Sequence, residues 1–310
     1  MEKFRYIQKV KEVYSNGGNI IDYLKRASNS NVNTVEDIMI SYDFQAGTYI
    51  KFYYQNKEYY ENYCSSLAKV INGLCNFNSI IEIGVGEATT LANLLVKLKK
   101  RPSYIYGFDI SWSRLKFAKN FLKDFSFNNV KLFTADLFDI PLPDNSFDIV
   151  YTSHSIEPNG GKEEAALKEL YRITKKYLVL LEPSYEFGNQ EAKKRIERLG
   201  YVKDLYKISK QLGYKIIEHR LFDYYSNPLN PTALLIIEKN STNDNNKPTL
   251  LCPISRTKLH KYNKNLIYSK ESHLAYPVID NIPCILKDNA ILAFHLLTDY
   301  ENFKTMNNII

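Results

Sequence analysis

The chain has 310 residues, a length that suits about two domains, and 45% of them are hydrophobic, enough for a sizeable core. Lys and Arg number 41 against 34 Asp and Glu, a formal net charge of +7, but the cations are spread along helical stretches. That spread favours solvated helix faces over a nucleic-acid surface. No run approaches the roughly 18 apolar residues of a membrane span, no apolar core follows Met1 to Arg5, and Cys64, Cys75, Cys252 and Cys284 are too dispersed for a disulfide framework or a local metal clip. A cytoplasmic protein without a membrane span or a signal peptide is expected. The surplus of Lys, Asn, Ile and Tyr suits an AT-rich, bacterial genome, and a homo-oligomer is left open.

In chain order, residues 1–78 read as helical, with Phe4, Ile7, Val10 and Val13-Tyr14 spaced for one apolar face. A polar loop, Ala27 to Thr34, follows, and a helix is expected over 57–75. Between them Ile40 to Tyr49 places Tyr42, Asp43, Gln45 and Tyr49 around Gly47, which reads equally as a tyrosine-rich packing loop and as a functional segment.

The chain is organised around Ile80 to Thr90, an apolar run that breaks into Gly84-Val85-Gly86-Glu87-Ala88 and starts a helix at Leu91. Strand, tight turn and helix N-terminus together bring unpaired N–H groups close to a polar ligand. A second run, Tyr104 to Phe108, ends in Asp109, at the spacing of a carboxylate that grips ribose hydroxyls. Val130 to Phe133 ends near Asp136-Leu137, Phe147 to Tyr151 follows a loop of prolines and acids, and Tyr177 to Leu181 ends in Glu182-Pro183. Five strands alternating with helices make an α/β protein.

With these residues in place, 79–240 resembles a class I S-adenosylmethionine-dependent methyltransferase. Glu82-x-Gly84-x-Gly86 is similar to the family's first motif, with Ala88 where a third glycine is usual. Asp109 with Ile110 resembles its ribose-binding acid, Asp136-Leu137 the segment lining the adenine, and Pro141 to Asp148 the lead-in to its fourth strand. The resemblance implies a Rossmann-like seven-stranded sheet closed by an antiparallel pair, Tyr214 to Asp223 and Thr232 to Lys239, and S-adenosyl-L-methionine as cofactor, with Ser153 also at the cofactor. It makes residues 1–78 a helical cap or lid, with Tyr42, Gln45 and Tyr49 over the donor or the acceptor pocket.

Transfer from a sulfonium needs alignment more than activation, and a general base only where the acceptor must lose a proton. His154 is the catalytic candidate, because it alone of five histidines falls just past the C-terminal end of a core strand, where ligands bind in open α/β sheets. Glu157 is similarly placed as a pocket-lining residue. The loop Ser153-His154-Ser155-Ile156 differs from the Asn-Pro-Pro-Tyr type that takes planar nitrogens. A small-molecule or carbohydrate-like acceptor is therefore expected, methylated on oxygen in surface-polysaccharide or secondary metabolism. The alternatives are an RNA or protein methyltransferase and a non-catalytic scaffold.

Residues 241–249 read as a linker, polar and without apolar periodicity. Residues 250–310 resemble the small zinc-ribbon methyltransferase activators of the Trm112 type, which links the RNA or protein alternative to a fused activator. Aligned on Tyr276-Pro277, the four ligand positions are Cys252, Ser255, Ser269 and Ser272. Hydroxyls are poor zinc ligands, so a metal-free ribbon is expected, with apolar packing replacing the metal and a helix and tail over Ala290 to Ile310.

Overall fold

The computed structural model describes residues 2–30, 32–239, 241 and 247–297. Among the described residues a 3-10 turn (Glu2–Tyr6) and five α-helices precede the first strand: α1 (Ile7–Ser15), α2 (Ile20–Ala27), α3 (Val35–Phe44), α4 (Thr48–Gln55) and α5 (Lys57–Leu74). The stretch Ile40 to Tyr49, read equally as a packing loop and as a functional segment, is mostly helix. Thr34 and Asp37 form a capping box that starts α3, and Gly47, at φ +98°, turns the chain directly into α4. The expected apolar face of the first helix is only partly used: Val10 is buried, whereas Phe4 and Ile7 are exposed.

The central sheet then alternates with helices: β1 (Ser79–Ile83), α6 (Thr89–Lys97), β2 (Tyr104–Asp109), α7 (Trp112–Asp124), β3 (Lys131–Thr134), β4 (Phe147–Ser153), α8 (Glu163–Ile173), β5 (Thr174–Pro183), α9 (Gln190–Leu199), α10 (Leu205–Gln211), β6 (Lys215–Leu221) and β7 (Thr232–Glu238). Strand order is 3-2-1-4-5-7-6, with β7 antiparallel to both neighbours. The chain order reverses beside β1, so the loops after β1, β2 and β4 open a crevice at the C-terminal edge of the sheet. Both faces are covered, and the strands sort their side chains with period two. Ile80, Ile105, Ile149 and Val179 pack toward α5, α6 and α7, while Ile81, Tyr106, Val150 and Leu178 pack on the opposite face.

A second sheet follows, built from β8 (His260–Asn263), β9 (Leu266–Ser269), β10 (Leu274–Ile279), β11 (Ile282–Pro283) and β12 (Ile291–Leu292). It sits against the otherwise free edge of β3, where Cys284 bridges Thr134 and the Ile285 amide donates to the Thr134 carbonyl at 3.2 Å. Arg256 donates to the Ile140 carbonyl at 2.6 Å and to Asp139 at 2.7 Å, and Leu251 N–H donates to the Pro141 carbonyl at 2.9 Å. The docking satisfies backbone groups that an exposed edge would present to other chains.

Where a helix was expected after Ala290, the described residues form the short strand β12 and a turn; 298–310 lie outside the described residues. The positions matched to zinc ligands converge through hydroxyl hydrogen bonds, with Cys252 packed among Leu259 and Tyr276 in the core. Ser272 Oγ donates to Cys252 Sγ at 3.8 Å, Ser255 meets Thr257 at 2.7 Å, and Thr257 meets Ser269 at 2.6 Å.

Candidate active site

The turn after β1 takes three left-handed residues in five, Gly84, Gly86 and Ala88, at φ +61°, +53° and +57°. At Gly84 no side chain is admissible, since a Cβ there would lie 2.3 Å from the Ser155 Cβ. At Gly86 a Cβ would press on the Tyr49 ring at 3.3 Å. Ala88 pays the left-handed strain that a glycine would avoid and is fully buried at the start of α6.

Asp109, at the end of β2, accepts from the Gly86 amide and the Ser111 amide, both at 2.9 Å. Burial pushes its carboxyl above the usual range, opposed by those amides and by the Arg114 guanidinium. Glu82, at the same edge, is driven by burial to about 8 although Tyr151 donates to it at 2.9 Å.

The N-terminal helices close over this turn through a buried charge network. Glu87 accepts from the amides of Gly47 and Ile50, each at 2.8 Å, and pairs with Arg114 at 3.0 Å. Arg114 also donates to the Tyr42 carbonyl at 2.9 Å and lies 4.0 Å over the Tyr49 ring. Asp43 accepts from the Ser113 amide and from the Ser111 and Ser113 hydroxyls, at 3.0, 2.7 and 2.9 Å, which ties α3 to the first turn of α7.

Beneath that cover lies a cavity of about 560 Å3, within the range of about 300–1,000 Å3 for small-molecule sites. Its far end belongs to the β4–α8 loop, the β6–β7 loop and α5. His154, at φ +55°, is held by its own amide on the Leu181 carbonyl at 2.9 Å. Its Nδ1 lies 3.0 Å from Glu157 and its Nε2 2.8 Å from the Thr232 hydroxyl. Asn230 stands beside both His154 and Glu157, at 3.5 and 3.4 Å, with its own carbonyl fixed by Arg195 at 2.9 Å. Tyr63 on α5 meets Ser153 at 2.8 Å. Glu182 receives the Ser155 and Ile156 amides on one oxygen, at 3.0 and 3.3 Å, and burial raises it to about 7.

Residues 81–180 match the methyltransferase domain family. Over 71 residues the chain is 37% identical to the demethylmenaquinone methyltransferase of Geobacillus stearothermophilus, a segment that is 23% of this chain and 30% of that protein. The chain therefore spans less than a third of the curated relatives it matches. Among solved structures, a SAM-dependent methyltransferase from Aquifex aeolicus is 17% identical, with a TM-score of 0.43 over 57% of this chain and 90% of that one. The magnesium protoporphyrin IX methyltransferase of Synechocystis PCC 6803, solved with SAH bound, is 16% identical, with a TM-score of 0.45 over 58% and 83%.

Residues 81–180 are a methyltransferase domain, set in a Rossmann-like sheet of strand order 3-2-1-4-5-7-6. Its donor end has what a nucleoside-bearing sulfonium asks for: a turn whose glycines leave room for close backbone approach, a buried carboxylate after β2 for a diol, and a helix N-terminus. In this methyltransferase core Glu82, Gly84, Gly86, Asp109, Ile110, Asp136, Leu137, Ser153 and His154 all line the one cavity, joined by Tyr42 and Tyr49 from the cap. Gln45 is turned away, its amide donating to Ser41 at 2.8 Å, and Glu157 stands behind His154 rather than on the wall.

Sequence reasoning missed Arg114, the α5 tyrosines Tyr59, Tyr60 and Tyr63, and the β6–β7 residues Tyr225, Ser226, Asn227, Asn230 and Thr232, all of which line the cavity. A tyrosine stripe at helical spacing is indistinguishable from core. For the loop, the only signal was its pair of Asn-Pro turns.

Proposed function

We propose that the chain is an S-adenosyl-L-methionine-dependent methyltransferase acting on a hydroxyl of a small, uncharged acceptor, carbohydrate-like or ring-bearing. The observation that carries this reading is the single cavity that runs from the glycine turn and Asp109 to His154 under the tyrosines of the cap. When bound, the donor supplies an activated methyl whose bond to sulfur breaks with the electron pair left on sulfur. The chain's own share is alignment and exclusion of water, with tyrosine faces able to steady a cationic sulfonium. Glu82, Gly84, Gly86, Asp109, Ile110, Asp136, Leu137 and Ser153 are the residues proposed to hold it.

At the acceptor end, Ser226, Asn227 and Asn230 offer uncharged donors and acceptors between aromatic walls, and Arg114, the cation on the wall, is already paired with Glu87. That chemistry suits neutral hydroxyls better than phosphates. His154 is proposed as the general base. Tyr42, Tyr49 and the rest of residues 1–78 act as the cap.

The aromatic lining also favours a second reading, an acceptor of the kind named for the curated relatives, demethylmenaquinone. Residues 250–310 are read as a metal-free counterpart of the Trm112-like activators that braces β3 of its own chain. The convergence of Cys252, Ser255, Ser269 and Ser272 supports that reading, as does the docking at Thr134. An RNA or protein acceptor would follow from that likeness alone, and a cavity wall whose cation, Arg114, is already paired with Glu87 argues against RNA.

Mass analysis of candidate acceptors incubated with donor and protein tests the proposal. Methyl addition to neutral hydroxyl compounds supports it. Methylation confined to RNA or protein would overturn it.

A further inference from the structure

We infer that Glu157 is the positioning residue that makes His154 a proton acceptor at Nε2, and that the Thr232 hydroxyl marks the point where an acceptor's own O–H docks. The inference rests on the methyltransferase reading for its use, but its geometry stands apart from it.

Glu157 lies 3.0 Å from His154 Nδ1, and a carboxylate can only accept there. Nδ1 therefore carries the ring proton, because the other tautomer would set two lone pairs against each other. A neutral imidazole protonated at Nδ1 has only a lone pair at Nε2. The Thr232 hydroxyl, 2.8 Å from that lone pair, is then the donor, and its own oxygen is left to accept from a substrate hydroxyl. Thr232 opens β7 and is buried, so it is fixed by the sheet rather than by the ring it touches.

The assembly is over-determined. His154 sits at φ +55°, a conformation β-carbon residues adopt at a cost, and is kept there by its amide on Leu181 and by both ring nitrogens. Its side chain is 28% exposed, toward the cavity, while that of Glu157 is 13% exposed behind it. The arrangement places base on the wall and carboxylate in the second row.

The charged groups facing the ring are Glu157 from its own loop, Glu182 from β5 and Arg195 from α9; Asn230 and Thr232 are neutral. Burial would lower the imidazole, but the Glu157 bond and charge outweigh it, helped by Glu182 and opposed by Arg195, so the ring is raised above its ordinary value. In use, the acceptor hydroxyl donates to the Thr232 oxygen and the Thr232 proton passes to Nε2, so that the acceptor's proton is relayed to the ring as its oxygen gains the methyl group. The Glu157 carboxylate balances the imidazolium that results. The acceptor class this selects is an alcohol or phenol.

Side-chain 15N spectra of the intact chain test it without any acceptor, with the His154 signals assigned by their absence in His154→Asn; Asn tolerates the left-handed backbone. The expected result is an Nδ1–H tautomer in the wild type, and a His154 pKa that falls by about one unit or more in Glu157→Gln. Glu157→Asp should recover part of the shift, and Thr232→Val should leave the tautomer in place. An Nε2–H tautomer, or an unmoved pKa in a folded Glu157→Gln, overturns the inference.

Once an acceptor is in hand, the acid limb of kcat/KM should move down in pH with that pKa while the plateau falls about 10-fold or more. Calorimetry with S-adenosylmethionine on the same samples separates the two claims. Donor binding with the wrong tautomer sinks the relay alone, and the right tautomer without donor binding sinks the methyltransferase reading alone.

Discussion

The two ends of the cavity are built in opposite ways. The donor end is nearly all local: Gly84, Gly86, Ala88 and Glu87 lie within five residues, and Asp109 follows one helix later at the end of the adjacent strand. The acceptor end is assembled from α5, the β4–α8 loop, α9 and β7, with Tyr63 meeting Ser153 and His154 meeting Thr232 across 90 and 78 residues. Backbone shape decides the first, and side-chain convergence decides the second. Substitutions should therefore fail differently at the two ends.

The largest effect is expected at the donor end, from Arg114→Met. It strands the buried Glu87 carboxylate and releases the cap from the turn, at a cost on the order of 3–5 kcal/mol. Chemical denaturation should show that loss, together with weakened donor affinity. A stability within 1 kcal/mol of wild type, roughly the value of an exposed pair, would show that the cap is not held this way.

Gly84→Ala comes next. The added methyl meets Ser155 and the left-handed backbone adds strain, about 2–4 kcal/mol together, with donor binding lost. Unchanged calorimetric affinity would refute the placement of the donor.

At the acceptor end the expected effects are smaller. Glu182 is raised to about 7 by burial, so the folded state keeps its proton where an unfolded carboxyl has lost it. That contribution is fully present below the ordinary carboxylate range and is lost as pH rises through about 7. Glu182→Gln keeps an oxygen for the Ser155 and Ile156 amides and carries no charge. Melting temperatures between pH 5 and 9 should converge at the acid end and favour the variant at the alkaline end, by about 1–3 kcal/mol. A wild type that gains stability with rising pH over that window would contradict the buried, raised carboxyl. Smallest of all, Tyr63→Phe removes one hydroxyl bond to Ser153 and should cost about 0.5–1.5 kcal/mol by chemical denaturation; a larger loss would show that the Tyr63 hydroxyl holds more than Ser153.

The same contrast explains what was legible in the sequence. The α/β class followed from apolar runs and local turn chemistry, the seven-stranded sheet and its closing antiparallel pair from the family resemblance, and the observed strand order bears them out. Ile40 to Tyr49, read equally as a packing loop and as a functional segment, lies mostly in helices, the first of them started by Thr34-x-x-Asp37.

Arg114 was passed over as one more helix cation, since nothing local tells a solvated arginine from one that will be buried against Glu87. Asn230 and Thr232 carried no motif at all; only the return of β7 beside β5 brings them to His154. In the C-terminal sheet Ser255 and Ser269 are joined through Thr257, which no ligand spacing indicates, while Ser272 reaches Cys252 directly.

The most direct test of the account is isothermal titration of the purified chain with S-adenosylmethionine and S-adenosylhomocysteine, run beside Asp109→Ala. The account predicts micromolar binding of both by the wild type and a loss of about 10-fold or more without the Asp109 carboxylate, a buried group whose hydrogen bonds a diol could take over. Absence of binding by the folded wild type, or equal binding by the variant, would contradict the claim that this cavity holds the methyl donor.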